Sequence, residues 1–128
     1  MTRRIALPSN EACVVLEGAA TSPVFVTCEH ASEAFPPPTV LPDADAWLAG
    51  THWAYDLGAE AIVRDLAAAL DAPAVLAAFS RLVCDPNRDE HEPTLFRDVA
   101  EGRPVTLNVG LDADERERRL ALYHRPFH

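Results

Sequence analysis

The chain has 128 residues, of which 48% are hydrophobic and 24% charged, and this length and composition suit one globular domain. Its 20 acidic and 11 basic residues give a formal net charge of −9, so the surface as a whole repels nucleic acid and anionic membranes. No segment approaches the run of about 20 apolar residues that spans a bilayer. We therefore expect a protein that binds neither nucleic acid nor membrane.

The cysteines indicate a reducing compartment. Cys13, Cys28 and Cys84 are far apart and form no C-x-x-C pair, and two of them lie in apolar runs where cysteine acts as a small hydrophobe. Reduced, buried thiols are the favoured interpretation, and a catalytic thiol is the alternative. The N-terminal segment lacks the pattern of a signal peptide, so we expect a cytoplasmic location.

Short apolar runs predict strands in the first third of the chain. Residues 14–16 form a run that Gly18 stops, which suggests an edge strand. Residues 23–28 are almost continuously apolar, as a buried strand is. The proline-rich sequence that follows cannot be a regular helix or a central strand. Residues 34–50 are therefore predicted to be a surface loop with one short turn around Trp47.

The clearest helix is predicted over residues 56–70. Its apolar residues fall near one face, which is formed by Leu57, Ala61, Leu66 and Leu70. On another face, Glu60 is placed to pair with Arg64 one turn later.

A second buried strand is predicted from Ala74 to Phe79 and on to Cys84. A strand, a helix and a strand in this order indicate a βαβ unit. The predicted fold class is α/β, with a mixed, mostly parallel sheet and flanking helices.

A last helix is predicted to begin at Asp112, which is spaced from Glu115 as in a capping box. It continues through the sequence ERERRLALYH, whose charged part we interpret as a solvated face. Residues 86–110 carry little regular pattern. We assign residues 1–128 to a single domain.

Polar side chains gather where the predicted strands end. Glu29, His30 and Glu33 follow the first buried strand, and Asp-Pro-Asn-Arg at residues 85–88 follows the second. A third polar cluster, at residues 51–56, precedes the main helix. Ligands of open α/β sheets bind beyond the carboxyl ends of the strands, so we expect these clusters to share one rim.

His30 and Glu33 are spaced as H-x-x-E, and on a loop that leaves a strand both can converge on one metal ion. Imidazole and carboxylate suit zinc, whose catalytic sites take three protein ligands and a water. The spacing alone arises often by chance, so a loop histidine beside a solvated glutamate is the favoured alternative. His52 is a candidate ligand, proton carrier or structural partner of Trp53, and Asp56 a ligand or a helix N-terminal carboxylate.

The residues around the Asp-Pro-Asn-Arg sequence predict a site for an anionic substrate. Arg88 offers a bidentate fork for a carboxylate, Asn87 adds a neutral donor, and Arg81 lies just upstream. Asp85 can orient Arg88 or the loop backbone. An Asx-type turn with a surface arginine is an equally weighted alternative for this motif.

Four segments, in this order and spacing, together resemble the N-formylglutamate amidohydrolase family: VTCEHASEAFP, HWAYDLGAEAIVRDLA, SRLVCDPNR and ERERRLALYHRPFH. The resemblance covers most of residues 24–128. The family is similar in fold to zinc carboxypeptidases and aspartoacylases, which implies a phosphorylase/hydrolase-like, zinc exopeptidase-like architecture. Its members are roughly twice as long. The resemblance thus implies that this chain is the N-terminal part of an incomplete, truncated domain.

The resemblance implies hydrolysis of the N-acyl amide of an acidic amino acid, in which N-formylglutamate and water give formate and glutamate. The implied cofactor is zinc or another divalent metal. The implied metal ligands are His30 and Glu33, with His52 or Asp56 as substitutes for Glu33. A later histidine and the general base are expected outside this chain.

The resemblance also implies how the substrate is held. Asn87 and Arg88 bind a substrate carboxylate, with Arg81 as a second anion contact and Asp85 in the same loop. Two other functions stay open: a related deacylase of another N-acyl amino acid, and an inactive fragment. The fragment would associate with a partner chain or form a homo-oligomer through its exposed apolar surface.

Overall fold

The computed structural model describes residues 3–5 and 10–128. Within them the strands are β1 (Arg4–Ile5), β2 (Cys13–Leu16), β3 (Gly18–Ala19), β4 (Val26–Cys28), β5 (Ala74–Ala77), β6 (Val99–Ala100) and β7 (Arg103–Pro104). The helices are a 3-10 helix (Asp43–Leu48), α1 (Ala59–Leu70), α2 (Ala113–Arg119), a π-helical turn (Leu120–His124) and α3 (Arg125–Phe127). None of the helices in this part of the chain is long and apolar enough to cross a membrane.

The central sheet has three strands in the order β2–β5–β4. β5 pairs antiparallel with β2 and parallel with β4. The edge strand predicted at residues 14–16 is confirmed as β2, and the strand predicted at residues 23–28 is present in shortened form as β4. The mixed character of the sheet is confirmed. The predicted parallel majority is not found among the described strands, because three of their pairings are antiparallel and one is parallel.

α1 connects the parallel strands β4 and β5, so the predicted βαβ unit is confirmed. The helix begins later than predicted, at Ala59, because Gly58 before it is left-handed with φ of 84°. The predicted pair forms, with 3.0 Å between Arg64 Nε and Glu60 Oε1.

The face of α1 that packs on the sheet is not the predicted one. Ala59, Val63 and Ala67 contact the core around Cys28 and Leu76. These short side chains let the helix lie close to the sheet. Larger residues form an exposed apolar stripe on α1, which begins at Leu57 just before the helix and has exposed fractions between 44% and 67%: Leu57, Ile62, Leu66 and Leu70.

The second predicted buried strand is also shorter than expected, since residues 78–84 form bends and a turn instead. Ser80 holds this turn. Its backbone N–H donates to the Ala34 carbonyl at 2.7 Å, and its hydroxyl donates to the Ala54 carbonyl at 2.7 Å. The apolar run at residues 82–84 is fully buried but is not a strand. Its apolar sequence therefore indicated burial and not strand geometry.

Gly18 lies where two backbone segments approach closely. A Cβ atom at this position would lie 2.0 Å from the backbone nitrogen of Pro73 and 2.1 Å from the carbonyl carbon of Ala72. The next residue, Ala19, donates its N–H to the Asp71 carbonyl at 2.8 Å. β3 is thereby bonded to the connection that follows α1, and only glycine fits there.

The predicted surface loop at residues 34–50 contains the short turn expected around Trp47, as the 3-10 helix Asp43–Leu48. Asp45 within that helix is fully buried. Its carboxylate accepts hydrogen bonds from the N–H groups of Thr106 at 2.8 Å and Leu107 at 2.7 Å. The loop is thereby attached to the segment after β7.

The last helical segment begins as predicted, because the Asp112 carboxylate accepts the Glu115 N–H at 2.8 Å. It continues without a break from α2 through the π-helical turn into α3. One residue departs from the predicted solvated face: Arg119 is 3% exposed and donates to the Val83 carbonyl at 3.1 Å and to Asn108 Oδ1 at 2.7 Å.

Cys13, Cys28 and Cys84 are buried and unpaired, as predicted. Burial raises the pKa of all three thiols, and that of Cys84 to about 12. The thiols therefore stay protonated near neutral pH and pack as small apolar groups, which disfavours a catalytic thiol.

Candidate functional site

His30 lies in the turn directly after β4 and is only 8% exposed. Both of its ring nitrogens face carboxylates. Nε2 is 2.6 Å from Oδ1 of Asp85, and Nδ1 is 3.3 Å from Oδ2 of Asp56. The Asp56 N–H donates to the His30 carbonyl at 3.0 Å, which fixes Asp56 beside this turn. The three polar clusters of the sequence therefore meet at one place.

The two carboxylates place different demands on the two ring nitrogens of His30. A neutral imidazole has one N–H and one lone pair. The shorter contact, with Asp85, assigns the N–H to Nε2 and leaves the Nδ1 lone pair facing a carboxylate oxygen of Asp56. A proton or a metal cation between Nδ1 and Asp56 removes this repulsion. Nδ1 of His30 is thus suited to share a cation with Asp56.

Asp85 is 2% exposed and connects the parts of the site. Besides His30, it accepts the Asn87 N–H at 2.9 Å and an Arg81 N–H at 3.0 Å. Burial alone raises the pKa of this carboxyl, but the hydrogen bonds from His30 and Asn87 and the charges of His30 and Arg81 outweigh burial. The net result is a pKa below the ordinary value, so Asp85 is ionised near neutral pH.

Arg81 is engaged by carboxylates of the site itself. Its Nη2 lies 3.0 Å from Asp85 Oδ2 and its Nη1 lies 3.7 Å from Asp56 Oδ1, and its side chain is 17% exposed. These contacts neutralise Arg81 and hold Asp85 and Asp56 in place. The geometry favours a positioning role over the direct anion contact expected from the sequence.

Asn87 and Arg88 lie on the loop that Asp85 organises. Asp85 orients the loop backbone and not the Arg88 guanidinium, which is one of the two predicted possibilities. The Arg88 guanidinium donates from Nε to Thr94 Oγ1 at 3.1 Å and from Nη1 to the Asn87 carbonyl at 2.9 Å. Its nearest carboxylate oxygen, on Glu92, is 3.7 Å away. Arg88 therefore keeps donors for a ligand.

The loop opens into a cavity of about 750 Å³ next to the His30 turn. The cavity is lined by Glu29, Pro86, Asn87, Arg88, Asp89, Glu90, His91, His124, Arg125 and His128. Its other arginine, Arg125, is committed to Glu90 at 2.8 Å and to Glu117. Within the lining, Arg88 is thus the arginine without a close carboxylate partner.

The structure places two other predicted site residues in contacts that do not involve His30. Glu33 accepts the Gly50 N–H at 2.9 Å. The ring of His52 packs against that of Trp53, with 4.8 Å between centroids. Of the substitutes named for Glu33, the one brought to His30 is Asp56.

None of the three histidines that line the cavity was singled out from the sequence, and two of them hold the loop backbone. His124 Nε2 donates to the Arg88 carbonyl at 2.8 Å, and His128 Nε2 donates to the Pro86 carbonyl at 2.9 Å. The available signal was their four-residue spacing in YHRPFH, which places both rings on one face of a helix.

The donor set fits a metal ion only in part. Within residues 3–5 and 10–128, no group of three or more His, Cys, Asp or Glu side chains is arranged to hold one. His30 and Asp56 supply two donors. Ligand atoms about 2.1 Å from a tetrahedral zinc are about 3.4 Å apart, close to the observed 3.3 Å between Nδ1 and Oδ2. A buried carboxylate behind the imidazole, as Asp85 is, orients such a ligand.

The model of the N-formylglutamate amidohydrolase family matches residues 22–128. The chain belongs to this family. The crystal structure of a gene product from Agrobacterium tumefaciens matches it with a TM-score of 0.86 and 35% sequence identity. That match covers 92% of this chain and 47% of the other, so this chain spans about half the length of that relative. No curated protein matches it.

All residues of the site lie inside the region matched to the N-formylglutamate amidohydrolase family. The family is one of amidohydrolases, which cleave amides such as that of N-formylglutamate. The outline of the predicted fold is confirmed as an α/β arrangement with a small mixed sheet and a few helices.

Proposed function

We propose that this domain hydrolyses the N-formyl amide of an acidic amino acid, such as N-formyl-L-glutamate. Water adds to the formyl carbon, the C–N bond breaks, and formate and glutamate are released. Besides family membership, one observation carries this proposal: Asp85 joins His30 to the loop that presents Asn87 and Arg88. His30 and the anion-binding loop of Asn87 and Arg88 are thereby held at a fixed separation. Hydrolysis of an amide that lies near a substrate carboxylate requires such a fixed separation.

Arg88 is the proposed carboxylate-binding residue. Its charge is the least compensated among the arginines of the site, since Arg81 and Arg125 have carboxylate partners at 3.0 Å or less. Asn87 is exposed beside it and offers an amide N–H. Arg81 is proposed to act through Asp85, whose orientation it fixes.

A divalent metal, zinc in the first instance, is the proposed cofactor. His30 and Asp56 are the candidate ligands, and Glu33 is the weaker candidate because its carboxylate is bonded to Gly50. A third ligand would come from outside the described residues. When bound, such an ion lowers the pKa of a water ligand and polarises the carbonyl. The architecture proposed with this cofactor is zinc exopeptidase-like. The proposed location is the cytoplasm, in keeping with the three unpaired cysteines.

The second candidate function is deacylation of a related N-acyl amino acid. An arginine and an asparagine recognise a carboxylate and not an acyl group, so the observed contacts suit both substrates. Rates with N-formyl-, N-acetyl- and N-succinyl-amino acids separate the two candidates. A third candidate, an inactive fragment that associates with a partner chain or with itself, is supported by the exposed stripe on α1.

The anion role of Arg88 is tested with Arg88→Ala. We expect the KM for N-formyl-L-glutamate, or the Kd measured by calorimetry, to rise at least tenfold, because a charge-assisted hydrogen bond contributes about 1.5–3 kcal/mol. Arg125→Ala is the matched control, since that arginine lines the same cavity but is paired. An unchanged KM in Arg88→Ala would remove this role.

The metal role is tested by zinc content after dialysis. We expect zinc to be lost in His30→Ala and in Asp56→Asn, and retained in His52→Ala and Glu33→Gln. Zinc retained in Asp56→Asn but lost in Glu33→Gln would assign the second ligand to Glu33. Zinc that is equally present in wild type and His30→Ala would exclude His30 as a ligand.

A further inference from the structure

Two hydrogen bonds from histidine rings hold the backbone of the loop that carries Arg88. His124 binds the carbonyl of Arg88, and His128 binds the carbonyl of Pro86. A carbonyl oxygen only accepts, so each ring carries its proton on Nε2. The N–H of Asn87, between these two carbonyls, is held by the Asp85 carboxylate. Three successive residues of this loop are therefore fixed by side chains.

The Arg88 guanidinium follows this backbone closely. Its Nη1 donates to the carbonyl of the preceding residue, Asn87, at 2.9 Å, and its Nε donates to Thr94 Oγ1 at 3.1 Å. A shift of the loop therefore moves the guanidinium as well. The two histidines are thus in a position to set where the positive charge lies in the cavity.

The helix that carries His124 is a rigid support. His124 is 5% exposed and ends the π-helical turn, where the Arg125 N–H reaches back to the Leu120 carbonyl. Its neighbour Tyr123 is fully buried and packs on Phe79, with 5.4 Å between ring centroids. π-Helical turns recur at functional sites because they redirect side chains. Here the turn presents His124 to the cavity from a well-packed base.

We propose that His124, together with His128, is a positioning residue that fixes the Arg88 guanidinium and so determines affinity for the substrate carboxylate. In this role each histidine uses its Nε2 atom on a loop carbonyl and acts on the substrate carboxylate through Arg88. The inference rests on the proposed function, because it takes the ligand of Arg88 to be the carboxylate of an N-acyl amino acid.

The first test compares two substitutions of His124 by the Kd for N-formyl-L-glutamate. His124→Phe keeps a ring but removes the donor, and we expect about tenfold weaker binding, the effect of one lost buried hydrogen bond. His124→Gln keeps an N–H at a similar distance from the backbone and should restore most of the affinity. Tyr123→Phe is the matched control on the same turn, because within the described residues the Tyr123 hydroxyl makes no hydrogen bond to the loop at residues 85–88.

A double-mutant cycle separates positioning from general support of the fold. If His124 acts through Arg88, then His124→Phe should weaken binding in the wild type and have almost no effect in the Arg88→Ala background. An equal loss in both backgrounds would overturn the proposal, because it would assign His124 a structural role independent of Arg88.

A ligand-independent readout distinguishes failure of this inference from failure of the proposed function. The Arg88 amide donates to the Asp85 carbonyl at 3.1 Å, and its hydrogen exchange reports how firmly the loop is held. We expect faster exchange at residues 87–89 in His124→Phe and rescue in His124→Gln. If wild type does not bind N-formyl-L-glutamate, the proposed function fails, and unchanged exchange in His124→Phe would overturn the positioning role by itself.

Discussion

The Asp85 carboxylate shows how much one buried side chain can determine. It accepts N–H groups from His30, Asn87 and Arg81, and it is 2% exposed. Its charge is compensated by Arg81 at 3.0 Å. A buried pair of this kind adds little net stability over an apolar pair, but removing one partner is costly because the other charge stays unpaired.

Asp85→Asn is therefore expected to lower the free energy of unfolding at pH 7 by about 3 kcal/mol. The estimate is at the lower end for a broken buried pair because Arg81 keeps a second carboxylate, Asp56, at 3.7 Å. Urea denaturation measures the change. The control is Glu60→Gln, which breaks the exposed pair with Arg64 and should cost no more than about 0.5 kcal/mol. Equal effects of the two substitutions would contradict this account.

The same residue predicts a pH dependence. The pKa of Asp85 is lowered in the folded protein, so its contribution to stability is complete above the ordinary pKa of about 3.9. The contribution is lost as the pH falls from there through the lowered pKa. The difference in unfolding free energy between wild type and Asp85→Asn should thus be constant from pH 7 to about pH 5 and shrink below pH 4. If the difference in unfolding free energy already shrinks near pH 6, the pH dependence arises from a group other than Asp85.

At the scale of elements, β3 approaches the connection after α1 very closely. The backbone at Gly18 leaves no space for a side chain, because Pro73 and Ala72 fill the place of a Cβ atom. The missing side chain at Gly18 therefore lets β3 bond to the connection that follows α1.

Gly18→Ala should lower the free energy of unfolding by about 3 kcal/mol, because the added Cβ overlaps backbone atoms that cannot move aside. Gly50→Ala is the matched control. Gly50 has φ of 73° and no atom within 4 Å of its Cβ position, so that substitution carries only backbone strain of about 1 kcal/mol. Thermal or urea unfolding compares the two, and an equal loss would mean that β3 moves to relieve the overlap.

The sequence predicted correctly those structural features that depend on residues close to one another in the chain. The cap of the last helix depends on Asp112 and Glu115, three residues apart, and it forms as predicted. The strand at residues 82–84 was predicted wrongly because the turn depends on Ser80, which bonds to carbonyls 46 and 26 residues away, at Ala34 and Ala54. Contacts of this range leave no periodic pattern in the sequence.

The candidate site shows the same division. His30, Asp56 and Asp85 come from three polar clusters that were expected to share one rim, and the structure brings them together. Of the three, His30 alone directly follows a described strand, since Asp56 precedes α1 and Asp85 follows the turn after β5. Which of them pair was not predictable, since Glu33 and Asp56 are both carboxylates within reach of a loop histidine. The face of α1 that packs on the sheet was also predicted wrongly. Small side chains pack against the sheet, and the larger apolar side chains are exposed to solvent.

At the scale of the whole molecule, the apolar stripe on α1 lies in the same βαβ unit as β4, which is an edge strand of the sheet. Phe25, directly before β4, is 59% exposed. An exposed strand edge and an exposed apolar surface both favour association with another polypeptide. This supports the expectation of a homo-oligomer for the chain as it stands.

We therefore expect self-association that depends on the stripe. In sedimentation velocity at rising concentration, wild type should gain mass, and the double substitution Ile62→Lys with Leu66→Lys should stay monomeric because it places two charges in the interface. Leu122→Lys is the control, as Leu122 is 42% exposed on a different helical segment. A wild type that stays monomeric at all concentrations would contradict this prediction.

One oxygen atom, Oδ1 of Asp85, accepts both from His30 Nε2 at 2.6 Å and from the Asn87 N–H at 2.9 Å. Under the proposed function, one atom therefore fixes both His30, beside the reacting amide, and the loop that binds the substrate carboxylate. A shift of residues 85–87 would move the acceptor of His30 and the Arg88 guanidinium together, because the guanidinium is bonded to the Asn87 carbonyl. Under the proposed function, a domain for a longer or shorter amino acid is therefore obtained by a substitution at Arg88 itself.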